Sequence, residues 1–288
     1  TSVALYPAVA AAIAIGKLEF SDVFRTDSQG NMTRDHFQSW NKETHISHKE
    51  SGQSIVVKDG YRNEMTESLL TLIKKIKPDV VLGLGGFASG PGGVAARLLA
   101  KPLVIHEQNA IPGLTNKLLS VIAQRVLQGF PNSFSVSRQA EWVGNPVRAT
   151  IETLLEPESR LAERSGPVRV LVLGGSLGAK SLNTVLPEAF SLIEDELVIK
   201  HQCGVRHLDD CQQNYAAANV EAQVMAFIDD MAEVYAWADV VICRAGALTI
   251  AEVSAAGVAS LLIPYPYAVD DHQTHNASAL VEAGAAKL

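Results

Sequence analysis

One pattern occurs twice in this chain of 288 residues: a short apolar run, a glycine-rich turn, then small and apolar residues with helical spacing. The first copy runs from Val80-Val81-Leu82 through Gly83 to Gly93 into Val94 to Leu99. The second runs from Val168 to Leu173 through Gly174-Gly175 into a helix from Ala179 onward. Each is followed by further β-branched runs, at Leu103-Val104-Ile105, Val240 to Cys243 and Leu261 to Ile263, with a helix predicted over Ala247 to Ala256. Short apolar runs alternating with helices are the signature of a parallel sheet with crossover helices. At roughly 150 residues per domain the length suits two such units. The expected organisation is α/β: an N-terminal domain over residues 1–148, a charged, Pro/Gly-punctuated linker over 149–167, and a C-terminal domain over 168–288.

Composition narrows the classes. With 47% hydrophobic and 19% charged residues the chain can bury a core, which excludes disorder. A net charge of -7 argues against an overall basic nucleic-acid binder. Cys203, Cys211 and Cys243 are odd in number and lack a zinc-finger spacing, which points to a reducing compartment. No run of about 20 apolar residues predicts a membrane span. The Ala-rich stretch Val3 to Ile15 is too short and has no basic residues before it. Opening on Thr1 and stopping inside an apolar run at Leu288, the chain reads as a piece of a longer one. Residues 18–66 are polar and weakly periodic, and hold His36, His45 and His48. The three-residue spacing of His45 and His48 could serve a metal on a helix, but no cysteine or carboxylate accompanies them, so surface histidines and no metal are expected.

Four clusters carry chemistry. Glycines at a strand–helix junction let backbone approach a ligand and aim N–H groups at an anion. Gly83-x-Gly85-x-x-Ala88, with Glu107 ending the next run, also fits a dinucleotide fingerprint, so an NAD-dependent oxidoreductase is a rival reading. The second loop, Gly174 to Ser181, nearly fits an ATP-binding P-loop, but Ala179 replaces the glycine before Lys180. One phosphate-cradling loop per domain suggests a ligand between the two. In Arg244 to Glu252, Gly246 opens a helix whose first N–H groups, on Ala247, Leu248 and Thr249, suit a diphosphate. One turn on, Glu252 could accept from a ribose diol or be a solvated carboxylate. In Asp270 to Asn276, carboxylates and amides suit sugar hydroxyls.

Seven motifs occur in order: Gly83 to Gly93; His106-Glu107-Gln108-Asn109 with Gly113-Leu114-Thr115-Asn116; Gly144-Asn145-Pro146-Val147-Arg148; Gly174-Gly175-Ser176-x-Gly178-Ala179; Phe227-Ile228-Asp229-Asp230-Met231; Arg244 to Glu252; and Asp271-His272-Gln273. From about Ile73 to Leu288 the chain resembles the MurG family of bacterial glycosyltransferases. The resemblance implies a GT-B fold, two Rossmann-like domains with parallel sheets facing a cleft. It implies transfer of N-acetylglucosamine from UDP-GlcNAc to the C4 hydroxyl of undecaprenyl-diphosphate-linked N-acetylmuramoyl-pentapeptide, lipid I becoming lipid II, without a cofactor. It also implies a cytoplasmic location on the inner face of the plasma membrane. A truncated or inactive sugar-nucleotide-binding homologue is the alternative.

Carried over residue by residue, Ser176 would meet the α-phosphate, Ile228 the uracil through its backbone, and Ala247, Leu248 and Thr249 the diphosphate, with Ile250 and Ala251 also among the substrate-binding residues. Glu252 would take the ribose and Gln273 the sugar hydroxyls. Asn109 and Arg148 match further donor-site positions, with Asn116, Asn183, Arg244 and His272 in support. The family's proposed catalytic base is a histidine in an earlier glycine-rich loop. Aligned on Tyr6-Pro7, Ala4 stands there instead, which leaves His106 and Glu107 as the nearest candidates. Residues 18–66 do not resemble the family. A basic rim of Lys74, Lys75, Arg97 and Lys101 around Leu98 and Leu99 is expected to favour anionic lipid.

Overall fold

The computed structural model describes residues 43–47, 54–58, 62–175, 178–266 and 271–288. They divide into two units, Thr1–Gly144 and Asn145–Leu288.

In the first unit, β1 (Glu43–Ser47) and β2 (Ser54–Lys58) form an antiparallel pair, and α1 spans Arg62–Ile76. The β-branched run Ile55-Val56-Val57 explains the strand, within a stretch the sequence reading left without elements. His45 lies in β1, so a helical pairing with His48, which is outside the described residues, does not arise. Among the described residues no cluster of metal-ligating side chains occurs.

The main sheet is parallel throughout: β3 (Val81–Gly83), β4 (Leu103–Glu107), β5 (Arg125–Gln128) and β6 (Glu141–Trp142), in that spatial order. Its crossovers carry α2 (Gly86–Leu98) and α3 (Leu114–Leu119). The glycine-rich segment expected as a turn is thus mostly helix, because only Gly85 and Gly86 have positive φ. Gly93 has a packing role. A Cβ there would lie 2.6 Å from Leu119 and 3.2 Å from Leu103, so its absence lets α2 settle onto the core formed by Leu103, Ile105, Leu119, Val126 and Phe134.

The second unit holds a six-stranded parallel sheet in the order β12–β11–β10–β7–β8–β9. These strands are β7 (Val168–Leu173), β8 (Leu197–Gln202), β9 (Gln223–Met225), β10 (Val240–Cys243), β11 (Ala259–Leu262) and β12 (Ala286–Lys287). Central β7 buries Val170 to Leu173 without alternation, as a strand covered on both faces must. Helix α6 (Lys180–Ser191) presents Leu182, Leu186 and Phe190 one turn apart to that sheet, and α7 (Leu208–Ala217) adds Cys211 and Tyr215. Burying each large apolar side chain contributes about 1.5–3 kcal/mol. The remaining helices are α8 (Met231–Trp237), α9 (Ala247–Ala256) and α10 (His272–Glu282). The three cysteines are free and buried.

The expected linker over 149–167 is corrected by the structure. It forms α4 (Ala149–Glu152) and α5 (Pro157–Leu161), and both belong to the second unit. Ile151 is fully buried. Arg160 donates to the Ala256 and Gly257 carbonyls at 2.8 and 3.3 Å, a cation capping the C-terminus of α9. Arg164 pairs with Asp239 at 3.3 Å. Charge and proline suggested a solvated connector, but these arginines are engaged in docking.

His201 lies in the core between Tyr215 (2.9 Å at Nδ1) and Asn183 Oδ1 (3.0 Å at Nε2), and its burial holds its pKa down from 6.5 to about 4. Because the folded pKa is depressed, the unfolded chain binds the extra proton between those values. This contribution is therefore complete above pH 6.5 and is lost as pH falls toward 4, at 1.36 kcal/mol per pKa unit, on the order of 3 kcal/mol. Urea unfolding of wild type and His201→Gln checks it: wild type loses ground to the variant on acidification, and a pH-independent gap contradicts the account.

Candidate functional site

The second unit's candidate residues gather at the carboxyl ends of its strands. Strand order reverses between β7 and β10, and ligands of open α/β sheets bind outside such a switch point. Leu173 pairs with Cys243, so the loops after β7 and β10 emerge side by side.

The loop after β7 turns on Gly175 (φ 77) and Gly178 (φ 75). A Cβ on Gly178 would lie 2.2 Å from the Cys203 carbonyl oxygen, so only glycine fits. Ser176 lies outside the described residues. Helix α6 follows with no side-chain cap at its N-terminus. Asn183 does not face a ligand. It is buried, its amide donates to the Cys203 carbonyl at 3.1 Å, and its oxygen accepts from His201. It braces the loop from behind.

Helix α9 likewise starts at Gly246 without a side-chain cap. Ala247, Leu248 and Thr249 supply its first N–H groups. Ile250 is corrected: its N–H bonds the Gly246 carbonyl at 2.9 Å and its side chain is core. Ala251, one residue further into the helix, is beyond the uncapped N–H groups too. Glu252 is not a solvated carboxylate. Oε1 accepts from Arg148 Nε at 3.0 Å and lies 2.9 Å from a second guanidinium nitrogen, and Oε2 accepts from the Tyr235 hydroxyl at 3.2 Å.

Arg244 ties neighbouring segments together, donating to the Ile263 and Pro264 carbonyls at 2.9 and 2.8 Å and to the Ser181 hydroxyl of α6. Its guanidinium sits 5.7 Å from the Tyr265 ring. The Tyr265 N–H donates to Gln273 Oε1 at 2.8 Å, while His272 opens the same helix. Ile228, between β9 and α8, has a buried side chain. Sequence reasoning missed Tyr235 and Tyr265, and gave Ser181 and Asn276 a place in their clusters but not their partners; the Asn276 amide donates to the Ala245 carbonyl at 3.2 Å.

In the first unit, Gly85 (φ 78) caps α2 without a side-chain bond. Glu107 is corrected both as base and as ribose ligand. Oε1 accepts from the Asn109 backbone (3.0 Å) and side-chain amide (3.2 Å), and Oε2 from the Gly113 N–H (3.1 Å) and the Asn116 amide (2.9 Å). With about four acceptor sites on a carboxylate, none remains. His106 is corrected as well. It is buried, and Nε2 donates to the Gly144 carbonyl at 2.9 Å while Nδ1 accepts from Gln108 at 3.3 Å. Burial pulls its pKa below 6.5 against the upward pulls of Gly144 and Glu107. Asn109 and fully buried Asn116 thus hold the loop after β4 to Glu107, and Asn116 also reaches the His106 carbonyl at 3.2 Å. Ala4 lies outside the described residues.

Paired α/β units, each with an uncapped helix behind a glycine turn, define the class: glycosyltransferases of the GT-B fold. Residues 36–128 match the profile of the glycosyltransferase family 28 N-terminal domain and 169–288 that of its C-terminal domain. This chain belongs to glycosyltransferase family 28. It is 54% identical over 219 residues to a UDP-N-acetylglucosamine–N-acetylmuramyl-(pentapeptide) pyrophosphoryl-undecaprenol N-acetylglucosamine transferase of Nitrosospira multiformis, covering 75% of this chain and 61% of that protein. The same-named protein of Marinobacter nauticus is 54% identical over 220 residues, covering 76% and 61%. The crystal structure of Acinetobacter baumannii MurG superposes with a TM-score of 0.68 at 45% identity, covering 80% of this chain and 66% of that one. The chain spans about three fifths of the length of the curated relatives it matches. The N-terminal match begins at residue 36, which corrects the expectation that residues 18–66 do not resemble the family: from residue 36 onward they do.

Glu107→Gln is expected to destabilise the first unit by about 1–3 kcal/mol, because an amide nitrogen would replace an oxygen that accepts two N–H groups. Chemical denaturation measures this, and an unchanged midpoint would return Glu107 to the list of candidate bases.

Proposed function

We propose that this chain acts in the transfer of N-acetylglucosamine from UDP-GlcNAc to the C4 hydroxyl of the undecaprenyl-diphosphate-linked muramyl-pentapeptide. The carrying observation is the pair of uncapped helix N-termini, of α6 and α9, that follow the adjacent strands β7 and β10 at the switch point of the second unit. On this reading the N–H groups of Ala247, Leu248 and Thr249 receive the diphosphate, with Ser176 at the α-phosphate. Glu252 takes the ribose, the Ile228 backbone the uracil, and Gln273 the sugar hydroxyls, its amide nitrogen donating while Tyr265 holds its oxygen. Arg148 belongs to the same site through Glu252. Preorganised N–H groups stabilise the negative charge that develops on departing UDP. The first unit takes the lipid-linked acceptor, and the catalytic base is neither His106 nor Glu107.

Titration calorimetry tests the donor half. UDP-GlcNAc should bind in clear preference to NAD. Gly178→Ala should weaken it by at least tenfold, about 1.4 kcal/mol, because the loop must leave the Cys203 carbonyl. Equal affinity for NAD, or a variant that binds like wild type, argues against the site. A second reading, donor binding without transfer, is favoured by the engagement of both His106 and Glu107. UDP release with a lipid I analogue, measured beside donor affinity, separates the two.

We further propose that the protein works at the cytoplasmic face of the membrane, held peripherally. Among the described residues no helix is long and apolar enough to cross a bilayer. Helix α3 and the turn after it expose Leu114 (72%), Leu118 (63%) and Val121 (61%) along one stripe, with exposed Lys117 beside them. Leu98 is also exposed (66%), next to exposed Arg97, with Lys74 and Lys75 exposed in the same unit; Leu99 packs inward. An apolar stripe with basic neighbours suits an anionic lipid surface, each cation contributing about 1 kcal/mol. Replacing Leu114 and Leu118 by serine should reduce sedimentation with phosphatidylglycerol vesicles several-fold. Binding that ignores both the substitutions and the anionic lipid content would refute this attachment.

A further inference from the structure

The Glu252 carboxylate is more constrained than ribose recognition alone requires. Oε1 accepts from Arg148 Nε at 3.0 Å with a second guanidinium nitrogen 2.9 Å away, and Oε2 accepts from Tyr235 at 3.2 Å. A carboxylate has about four acceptor sites, so one on Oε2 is open while the second on Oε1 is crowded by that guanidinium nitrogen. A vicinal diol donating one O–H to each oxygen must therefore push a partner aside. The two donors are not equivalent. Arg148 has its side chain 54% exposed, so an N–H it gives up is met by water. Tyr235 is fully buried on α8, and its hydroxyl would be left without a partner. Burial, with the nearby Glu252 charge, also holds its pKa well above the usual phenol value, which keeps it a donor at any working pH.

We propose that Tyr235 is a positioning residue for diol recognition, fixing the Glu252 carboxylate from behind, and that the diol displaces an Arg148 contact and leaves the Tyr235 bond in place. This rests on the reading of Glu252 as the ribose ligand. One hydroxyl takes the open site on Oε2, and the other replaces an Arg148 N–H on Oε1. The released guanidinium edge is then free to turn toward an anion on the same ligand. No bond other than hydrogen bonds changes.

Affinities of the full chain for UDP, 2′-deoxy-UDP and inorganic diphosphate decide the matter, with wild type, Tyr235→Phe and Glu252→Ala compared. Tyr235→Phe removes one oxygen and keeps the ring. It should lower the preference for UDP over its deoxy analogue by roughly tenfold, the range for a hydrogen bond to a charged group. Diphosphate affinity should stay within twofold, which a general loss of structure would not allow. An unchanged preference in Tyr235→Phe, alongside a lost one in Glu252→Ala, overturns the role of Tyr235 while sparing the ribose reading. An unchanged preference in Glu252→Ala removes both. A crystal structure of wild type with UDP stands independent of the variants' folding. It should show the Tyr235–Glu252 bond kept and a ribose oxygen in place of an Arg148 nitrogen; the reverse exchange disproves the proposal.

Discussion

The pairing of β7 with β10 is the constraint on which the second unit's site depends. It joins residues some 70 positions apart in sequence, Val170 to Val240 and Leu173 to Cys243, and so fixes where the two glycine turns leave the sheet. A slip of one residue would turn every core side chain of β7 to the opposite face. Val170 and Val172 would then leave the cluster they share with α6 and α7; because β7 is apolar on both faces, the fit of these side chains rather than hydrophobic alternation holds the register. Register in turn places Gly174 beside Arg244, and Arg244 reaches both Ser181 on α6 and the carbonyls after β11. Packing of the core and placement of the anion-binding backbone are thus one specification.

Behind each turn lies a buried polar network, and in front of it N–H groups without side-chain caps. In the second unit the chain Tyr215–His201–Asn183 ends on the Cys203 carbonyl, against which Gly178 sits. In the first, Glu107 gathers donors from residues 109, 113 and 116 and so shapes the segment between β4 and α3. Buried polar groups that are fully bonded rigidify what they touch. A loop held from behind needs no reorganisation when charge arrives in front, which is the condition for electrostatic preorganisation.

Much of this was legible in sequence because it rests on local signals. Val168 to Leu173 could only be an interior strand of a parallel sheet, and Gly246 before an apolar helix marked an open N-terminus. What could not be read depended on which partner a polar side chain finds. Glu107 at the end of β4 looks the same whether it holds a ribose or four N–H groups, since three of its donors lie up to nine residues away along a loop with no periodicity. Arg160 and Arg164 read as a solvated charge run, yet they meet carbonyls 96 and 72 residues distant. Tyr235 gave no signal in sequence, because its hydroxyl's acceptor sits on the next helix, 17 residues on.

A net charge of -7 and a proposed dianionic donor are compatible only if recognition is local. At physiological salt the Debye length is about 8 Å, so surface carboxylates beyond that distance are largely screened from the turns. The N–H groups of α6 and α9 act in direct contact and are screened little. Neither helix carries an acidic residue in its first turn, so nothing there offsets the positive end of the dipole. The nearest carboxylate on α9 is Glu252, and Arg148 neutralises it in the unliganded state. If the diol displaces only one Arg148 contact, the guanidinium stays beside Glu252 and the carboxylate keeps its counter-charge both before and after the nucleotide arrives. An acidic protein can then hold an anionic nucleotide without a basic surface, which is the pattern its composition demands.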